Sequence, residues 1–110
     1  MASPNQIHTR EDVFNILRIV SGGRDLNQRQ LSSELGFSLG KTNYLLKSLT
    51  RIGLIEFKNF STKANKSKKV RYFLTKKGLK HKINLTYNYM KKKEAEYNRL
   101  REEWQQDKRS

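Results

Sequence analysis

Apolar positions recur at helical spacing three times in the first half of the chain, then alternate as in strands, then return to a helical period that runs to the end. Val13, Phe14, Leu17 and Val20 mark one face of a first helix, with Thr9 placed to cap it, Glu11 and Asp12 in its first turn, and Ser21-Gly22-Gly23 closing it. Leu26 reads as a one-residue strand stub. Asn27 then caps a short second helix, with Gln30 at the capping-box position, Leu31 and Leu35 facing inward and Gly36 as the stop. Ser38 caps a third helix to about Ile52, with Leu45, Leu46, Leu49 and Ile52 as its buried stripe and Gly53 ending it. Residues 54–60 and 70–74 alternate as two strands, which makes the polar, lysine-rich 61–69 the long tip of a hairpin. Thr75 caps a last helix that holds no proline and, beyond Gly78, no glycine.

The pattern predicts an α+β domain over 9–75, made of three helices and a β-hairpin, followed by a long helix over 76–106. Residues 1–8, which show no period and contain the only proline, and the tail 107–110 are expected to be disordered. In the last helix Ile83, Met90, Tyr97 and Trp104 recur every seven residues, and Leu79, Thr86, Lys93 and Leu100 stand four residues before each. A helix of ~30 residues is ~45 Å long, more than so small a body covers. Exposed Tyr97, Leu100 and Trp104 on one face point to pairing with a second copy, so Ile83, Met90, Tyr97, Leu100 and Trp104 are expected to form a homodimer contact.

Charge narrows the function classes. Lysine and arginine outnumber aspartate and glutamate by 24 to 10, and the 37 residues from Phe57 to Lys93 hold thirteen bases and no acid. Ordinary surfaces intersperse the two signs, so this block favours a polyanionic partner, nucleic acid first. No stretch approaches the ~20 apolar residues of a membrane span, and the first residues lack the apolar core of a signal peptide; no membrane partner and a cytoplasmic location, on the nucleoid when bound, are expected. There is no cysteine, and His8 and His81 lie far apart in sequence without a nearby carboxylate pattern, so neither a disulfide framework, a metal site nor a cofactor is expected. Paired carboxylates and a Ser/His/Asp arrangement are also missing, which argues against an enzyme.

One stretch carries two readings. Gly36-Phe37-Ser38-Leu39-Gly40-Lys41-Thr42 resembles a nucleotide-binding phosphate loop, but that loop needs four residues between its first glycine and the Gly-Lys pair, and here there are three. It also needs a buried strand before it, whereas residues 28–35 read as helix. A helix-turn-helix accounts for the same letters: Gly36 permits the turn, Phe37 plugs between two helices, and Ser38 caps the next. With the apolar stripe inward, Leu39, Gly40, Lys41, Asn43, Tyr44, Lys47, Ser48 and Arg51 lie outward or at the boundary, mostly near the end that enters a DNA major groove in such proteins. Gly40 allows close backbone approach, Asn43 has the amide that pairs with adenine, and Tyr44 can meet a thymine methyl or a phosphate. Leu39 fits packing under the turn equally well, Thr42 reads as core, and Ser48 and Arg51 fit solvent or phosphate.

The order of three helices, a basic hairpin and "LTKKG" opening a long helix resembles winged-helix regulators of the MarR type. "SLGKTNYLLKSLTRIGLI", the "KNF" before a lysine-rich wing, and "YFLTKKG" are similar to the small MarR-like regulators associated with bacterial exopolysaccharide (EPS) gene clusters. The resemblance covers roughly residues 10–100. It implies a winged helix-turn-helix that binds double-stranded DNA and controls transcription, with 38–52 as recognition helix and 60–70 as a wing on flanking backbone or minor groove. DNA contacts are then expected from Ser38, Leu39, Gly40, Lys41, Asn43, Tyr44 and Lys47 on the helix and from Lys63, Lys66, Lys68, Lys69 and Arg71 on the wing. Full MarR proteins dimerise through helices on both sides of the winged helix, and here little chain precedes residue 9. Any small-molecule effector is left open, and two other uses of the fold remain: an RNA- or protein-interaction module, and a sequence-neutral architectural DNA binder.

Overall fold

The computed structural model describes residues 9–23, 26–62 and 65–110, with side chains outside 59–69. Its elements are α1 (Arg10–Val20), α2 (Gln28–Leu35), α3 (Leu39–Arg51), β1 (Ile55–Thr62), β2 (Asn65–Leu74) and α4 (Lys76–Arg109). This is the expected α+β winged helix-turn-helix with a long C-terminal helix. The expectation for residues 1–8 lies outside the described residues.

The caps anticipated from sequence form. Thr9 Oγ1 accepts from the Asp12 N–H at 3.1 Å, and the Asp12 carboxylate accepts from the Thr9 N–H at 2.9 Å, a reciprocal capping box on α1. Asn27 and Gln30 make the same pair on α2. Gly36 ends α2 at φ 71°, a left-handed conformation that costs a residue with a Cβ about 1 kcal/mol or more. Between α2 and α3 the contact is partly polar. Thr42, fully buried, donates its hydroxyl to the Ser38 carbonyl at 3.0 Å and lies 2.8 Å from the Ser32 hydroxyl, itself 2.7 Å from the Gln28 carbonyl. A buried pair so satisfied holds the two helices at one crossing angle, because sliding either would leave a hydroxyl unpaired.

Around this pair lies one apolar core: Phe14, Ile16, Leu17 and Val20 of α1, Leu26, Leu31 of α2, Leu45, Leu46 and Leu49 of α3, then Leu54, Ile55, Tyr72 and Leu85. Two details differ from the pattern-based expectation. Ile16 is fully buried although it lies off the predicted α1 face, so α1 buries a wider arc than a single stripe. Ile52, predicted at the end of the buried α3 stripe, is 51% exposed, since the helix stops at Arg51 and the capping residue turns away from the core. Leu26 is buried but makes no strand pairing; the described sheet has two strands.

The hairpin pairs β1 and β2 antiparallel from Ile55↔Leu74 outward to Thr62↔Asn65, with an irregularity between Phe60 and Thr62. The strands therefore reach almost to the tip, where the sequence predicted a nine-residue loop. The ladder there is one of backbone hydrogen bonds, which need no hydrophobic alternation in the sequence.

α4 leaves the body from a tightly specified junction. The Thr75 N–H donates to the Leu54 carbonyl at 3.1 Å, and the Thr75 hydroxyl donates to the Gly53 carbonyl at 2.5 Å while accepting from the Gly78 N–H at 3.0 Å. Lys77 Nζ donates to the Ile52 carbonyl at 2.7 Å. Further along, Leu85 is buried, Tyr89 stacks on Phe14 with ring centroids 4.9 Å apart, and Lys82 Nζ reaches the Ser21 hydroxyl at 2.9 Å. The helix continues to Arg109, past the expected end at 106, because nothing in 107–109 breaks it and Lys108 and Arg109 suit the negative end of the helix dipole.

Gly78 is buried where a Cβ would overlap the Leu54 carbonyl oxygen, so α4 meets the residue just before β1 at backbone contact. Gly78→Ala is expected to destabilise the domain by roughly 1–3 kcal/mol despite alanine's better helix propensity. Urea denaturation of the two proteins checks this; equal midpoints would show that the junction yields freely.

Candidate nucleic-acid interface

The α3 residues opposite its buried stripe form a continuous outward row. Gly40, Lys47 and Arg51 are exposed, and Asn43, Tyr44 and Ser48 are half-buried along its edges. A Cβ at Gly40 would meet nothing within 4 Å, so the row opens onto free space there. Leu39 is 47% exposed, which decides against packing under the turn. Ser38 is exposed, its hydroxyl accepting from the Lys41 N–H at 3.1 Å as the α3 cap.

Two of the expected contact residues are held by the protein itself. Lys41 Nζ lies 3.0 Å from Asp12 Oδ2 and 4.3 Å from the centre of the Phe37 ring, so its charge faces α1 and the turn. Asn43 Oδ1 accepts from Gln28 Nε2 at 3.1 Å. An amide oxygen has a second lone pair, and the Asn43 amide N–H groups keep their direction, so this bond orients the side chain without using up its pairing edge. Gln28 is thus a supporting residue that the sequence reading missed. Its role depends on how α2 crosses α3, and no local pattern records that crossing. Asp12 was visible only as an acid in the first turn of α1; its hold on Lys41 spans 29 positions in the chain.

The base of the hairpin flanks the same side of α3. Leu46, Phe57, Val70 and Tyr72 floor a groove of about 500 Å³ between helix and hairpin, with Gln28, Asn43, Lys47, Thr50 and Arg51 at its margins. The outward row of α3 and the base of the hairpin therefore share one face. Arg71 is half-buried on β2. Lys66, Lys68 and Lys69 also lie on β2, within the stretch whose side chains are not described, and Lys63 lies outside the described residues. The remaining site residues are elsewhere: Ile83, Met90, Tyr97, Leu100 and Trp104 run down α4, each 57–63% exposed.

Electrostatics reinforce this division. Burial raises the pKa of the Asp12 carboxyl, but hydrogen bonds from Lys41 and the Thr9 N–H, with the lysine's charge, outweigh it and hold the carboxyl below its ordinary value of 3.8. Asp12, beside the start of α3, is thus ionised and matched to Lys41, and none of the ion pairs described involves Lys47 or Arg51. Among the described residues no helix is long and apolar enough to cross a membrane.

Residues 13–56 match the winged helix-turn-helix DNA-binding family. No curated protein is similar in sequence. Among solved structures, the PadR-like transcriptional regulator from Bacillus cereus superposes with a TM-score of 0.70 at 23% identity, over 80% of this chain and 89% of that one. The adhesin competence repressor of Streptococcus pyogenes gives 0.63 at 21% identity, over 87% of this chain and 67% of that one. Staphylococcus aureus MarR, solved with salicylate and kanamycin, gives 0.62 at 19% identity, over 86% of this chain and 60% of its own. At these identities the likeness is one of fold.

The Asp12 pair has a defined pH dependence. Because the folded-state pKa is lowered, its stabilisation is present above the unfolded value of about 3.9 and is lost as pH falls through the folded one. Asp12→Asn should cost about 1 kcal/mol at neutral pH, the usual size of a lost cap, and progressively less below pH 4. Denaturation of both proteins at pH 7 and pH 3 measures it; a cost that persists unchanged at pH 3 would mean the carboxylate charge contributes nothing.

Proposed function

We propose that this chain is a transcriptional regulator that binds double-stranded DNA as a homodimer, with α3 in the major groove and the hairpin on the flanking backbone or minor groove. The observation that carries this is the shared face: the Gly40, Asn43, Tyr44, Lys47 and Arg51 row and the hairpin base lie side by side on a chain of net charge +14. An α-helix fits the major groove, and a basic ribbon beside it reaches the next stretch of phosphates.

Within the row the roles divide by chemistry. Asn43, steadied by Gln28, reads adenine through its amide, at a value of about 1–3 kcal/mol per bidentate pair. Lys47 and Arg51 neutralise phosphate, the term that supplies most non-specific affinity. Ser38, Leu39 and Gly40 form the tip that enters the groove, and Tyr44 meets a thymine methyl or the backbone. Lys41 contributes through the position of the α3 start, since its ammonium is engaged by Asp12. Wing contacts come from Lys63, Lys66, Lys68, Lys69 and Arg71. The quoted motifs support a narrower reading, that of a small MarR-like regulator serving an exopolysaccharide gene cluster.

Selection of binding sites from random duplexes tests this reading, and a near-palindromic consensus is the expected outcome. On that consensus Asn43→Ala should lower affinity roughly 5- to 150-fold per half-site while leaving random duplex nearly unchanged, and Lys47→Ala should weaken both alike. Recovery of no consensus would favour an architectural binder or a module for RNA or protein. Equal losses for Asn43→Ala on both duplexes would remove base reading from that residue.

A further inference from the structure

α4 has two apolar faces. One packs on its own domain through Gly78, Leu85 and Tyr89. The other, rotated about a quarter of a turn, carries the seven-residue repeat, and its large apolar members are exposed: Leu79 is 49% exposed, Ile83 57%, Met90 63%, Tyr97 63%, Leu100 62% and Trp104 60%. A seam this long needs an occupant with the same repeat, and the homodimer proposed above supplies one. Its orientation follows from charge. Residues 76–93 hold seven lysines and no acid, whereas 94–109 hold five acids against four bases. Parallel pairing would lay the lysine-rich halves against each other and set Lys93 opposite Lys93 of the second copy. Antiparallel pairing lays each lysine-rich half on a near-neutral one.

Register follows from layer matching. In antiparallel coiled coils the two kinds of seam position face each other. The alignment that uses all eight seam positions sets Leu79 against Trp104 of the second copy, Ile83 against Leu100, Thr86 against Tyr97, and Met90 against Lys93. The lysine then lies along a flexible methionine near the two-fold axis with its ammonium directed outward. Beyond the end of the seam a second observation agrees. Leu79 borders a surface groove of about 410 Å³, whose walls include Val20, Phe73 and Leu74. In this register the indole of Trp104 arrives beside Leu79, at the mouth of that groove.

We infer that two copies pair antiparallel through α4 in this register, and that Trp104 of each seats in the Val20–Phe73–Leu79 groove of the other. The seam thereby clamps each copy's last turns onto the other copy's winged domain. This inference rests on the dimeric reading and adds its geometry. The recognition helices are tied to α4 through the Thr75–Gly78 junction, so the register also sets how far apart they stand.

The chain has no cysteine and a single tryptophan, which makes both parts testable. Ile83→Cys and Leu100→Cys, mixed and mildly oxidised, should cross-link to each other, while each alone should cross-link little, because like positions are separated by about 25 Å of helix. Self-linking of Ile83→Cys would overturn the orientation in favour of parallel pairing. A monomeric mass for the unmodified chain in light scattering would instead remove the dimer on which the inference rests. For the seat, Trp104 emission should be shifted to the blue in the dimer and move to the red in Phe73→Ala at unchanged dimeric mass. Unmoved emission in that variant, with the dimer intact, would place the indole elsewhere.

Discussion

The junction where α4 begins governs the geometry of the whole molecule. Three carbonyls that follow α3, those of Ile52, Gly53 and Leu54, would otherwise be poorly satisfied; Lys77 and Thr75 donate to them, and Gly78 packs close against the Leu54 carbonyl. A helix tied at its first turn by hydrogen bonds in several directions has little freedom to tilt. Because these carbonyls directly follow the end of α3, α3 and α4 become parts of one rigid frame. Whatever grips α4 along its exposed length acts on the orientation of α3 without any intervening hinge among the described residues.

At the other end of α3 the protein spends polar groups on position. Lys41 faces Asp12, and Asn43 accepts from Gln28, so two side chains that the sequence offers as ligand contacts are first of all braces between helices. The two braces differ in consequence. An ammonium matched at 3.0 Å by a partly buried carboxylate has much of its charge neutralised locally and adds little to long-range attraction. An amide accepting one hydrogen bond keeps its other lone pair and both donors, and it loses rotamer freedom that it would otherwise lose on binding. Bracing therefore counts against Lys41 as one of the proposed contacts and in favour of Asn43.

The exposed half of the molecule shows the reverse economy. Lys91–Glu94 and Lys93–Glu96 are exposed ion pairs within α4, Lys108 lies over the Trp104 ring at 4.8 Å, and Arg101 lies over Tyr97 at 6.0 Å. Exposed pairs of this kind contribute at most a few tenths of a kcal/mol to about 1 kcal/mol each. They keep a helix of 34 residues continuous in water, but they leave its apolar stripe uncovered.

Local rules were enough to place every helix, because Thr9, Asn27, Ser38 and Thr75 cap within three residues of themselves and Gly36 stops a helix by its own φ. The same held for the core face of α3 and for the seven-residue repeat of α4, since periodicity is written along the chain. Where a face is decided by neighbours from elsewhere, the sequence was silent or misleading. Ile16 is buried although it lies off the predicted face of α1, the ribbon continues beyond its last apolar pair because backbone bonds need no alternation, and Ile52 turns outward where its helix ends. The candidate site divides along the same line. Its outward row on α3 follows from the helical period, whereas the Gln28 brace, the Asp12 hold on Lys41 and the groove beneath the wing arise from elements crossing at particular angles. Side-chain hydrogen bonds reach only about 3 Å, so contacts between residues distant in the chain exist only once packing has set those angles.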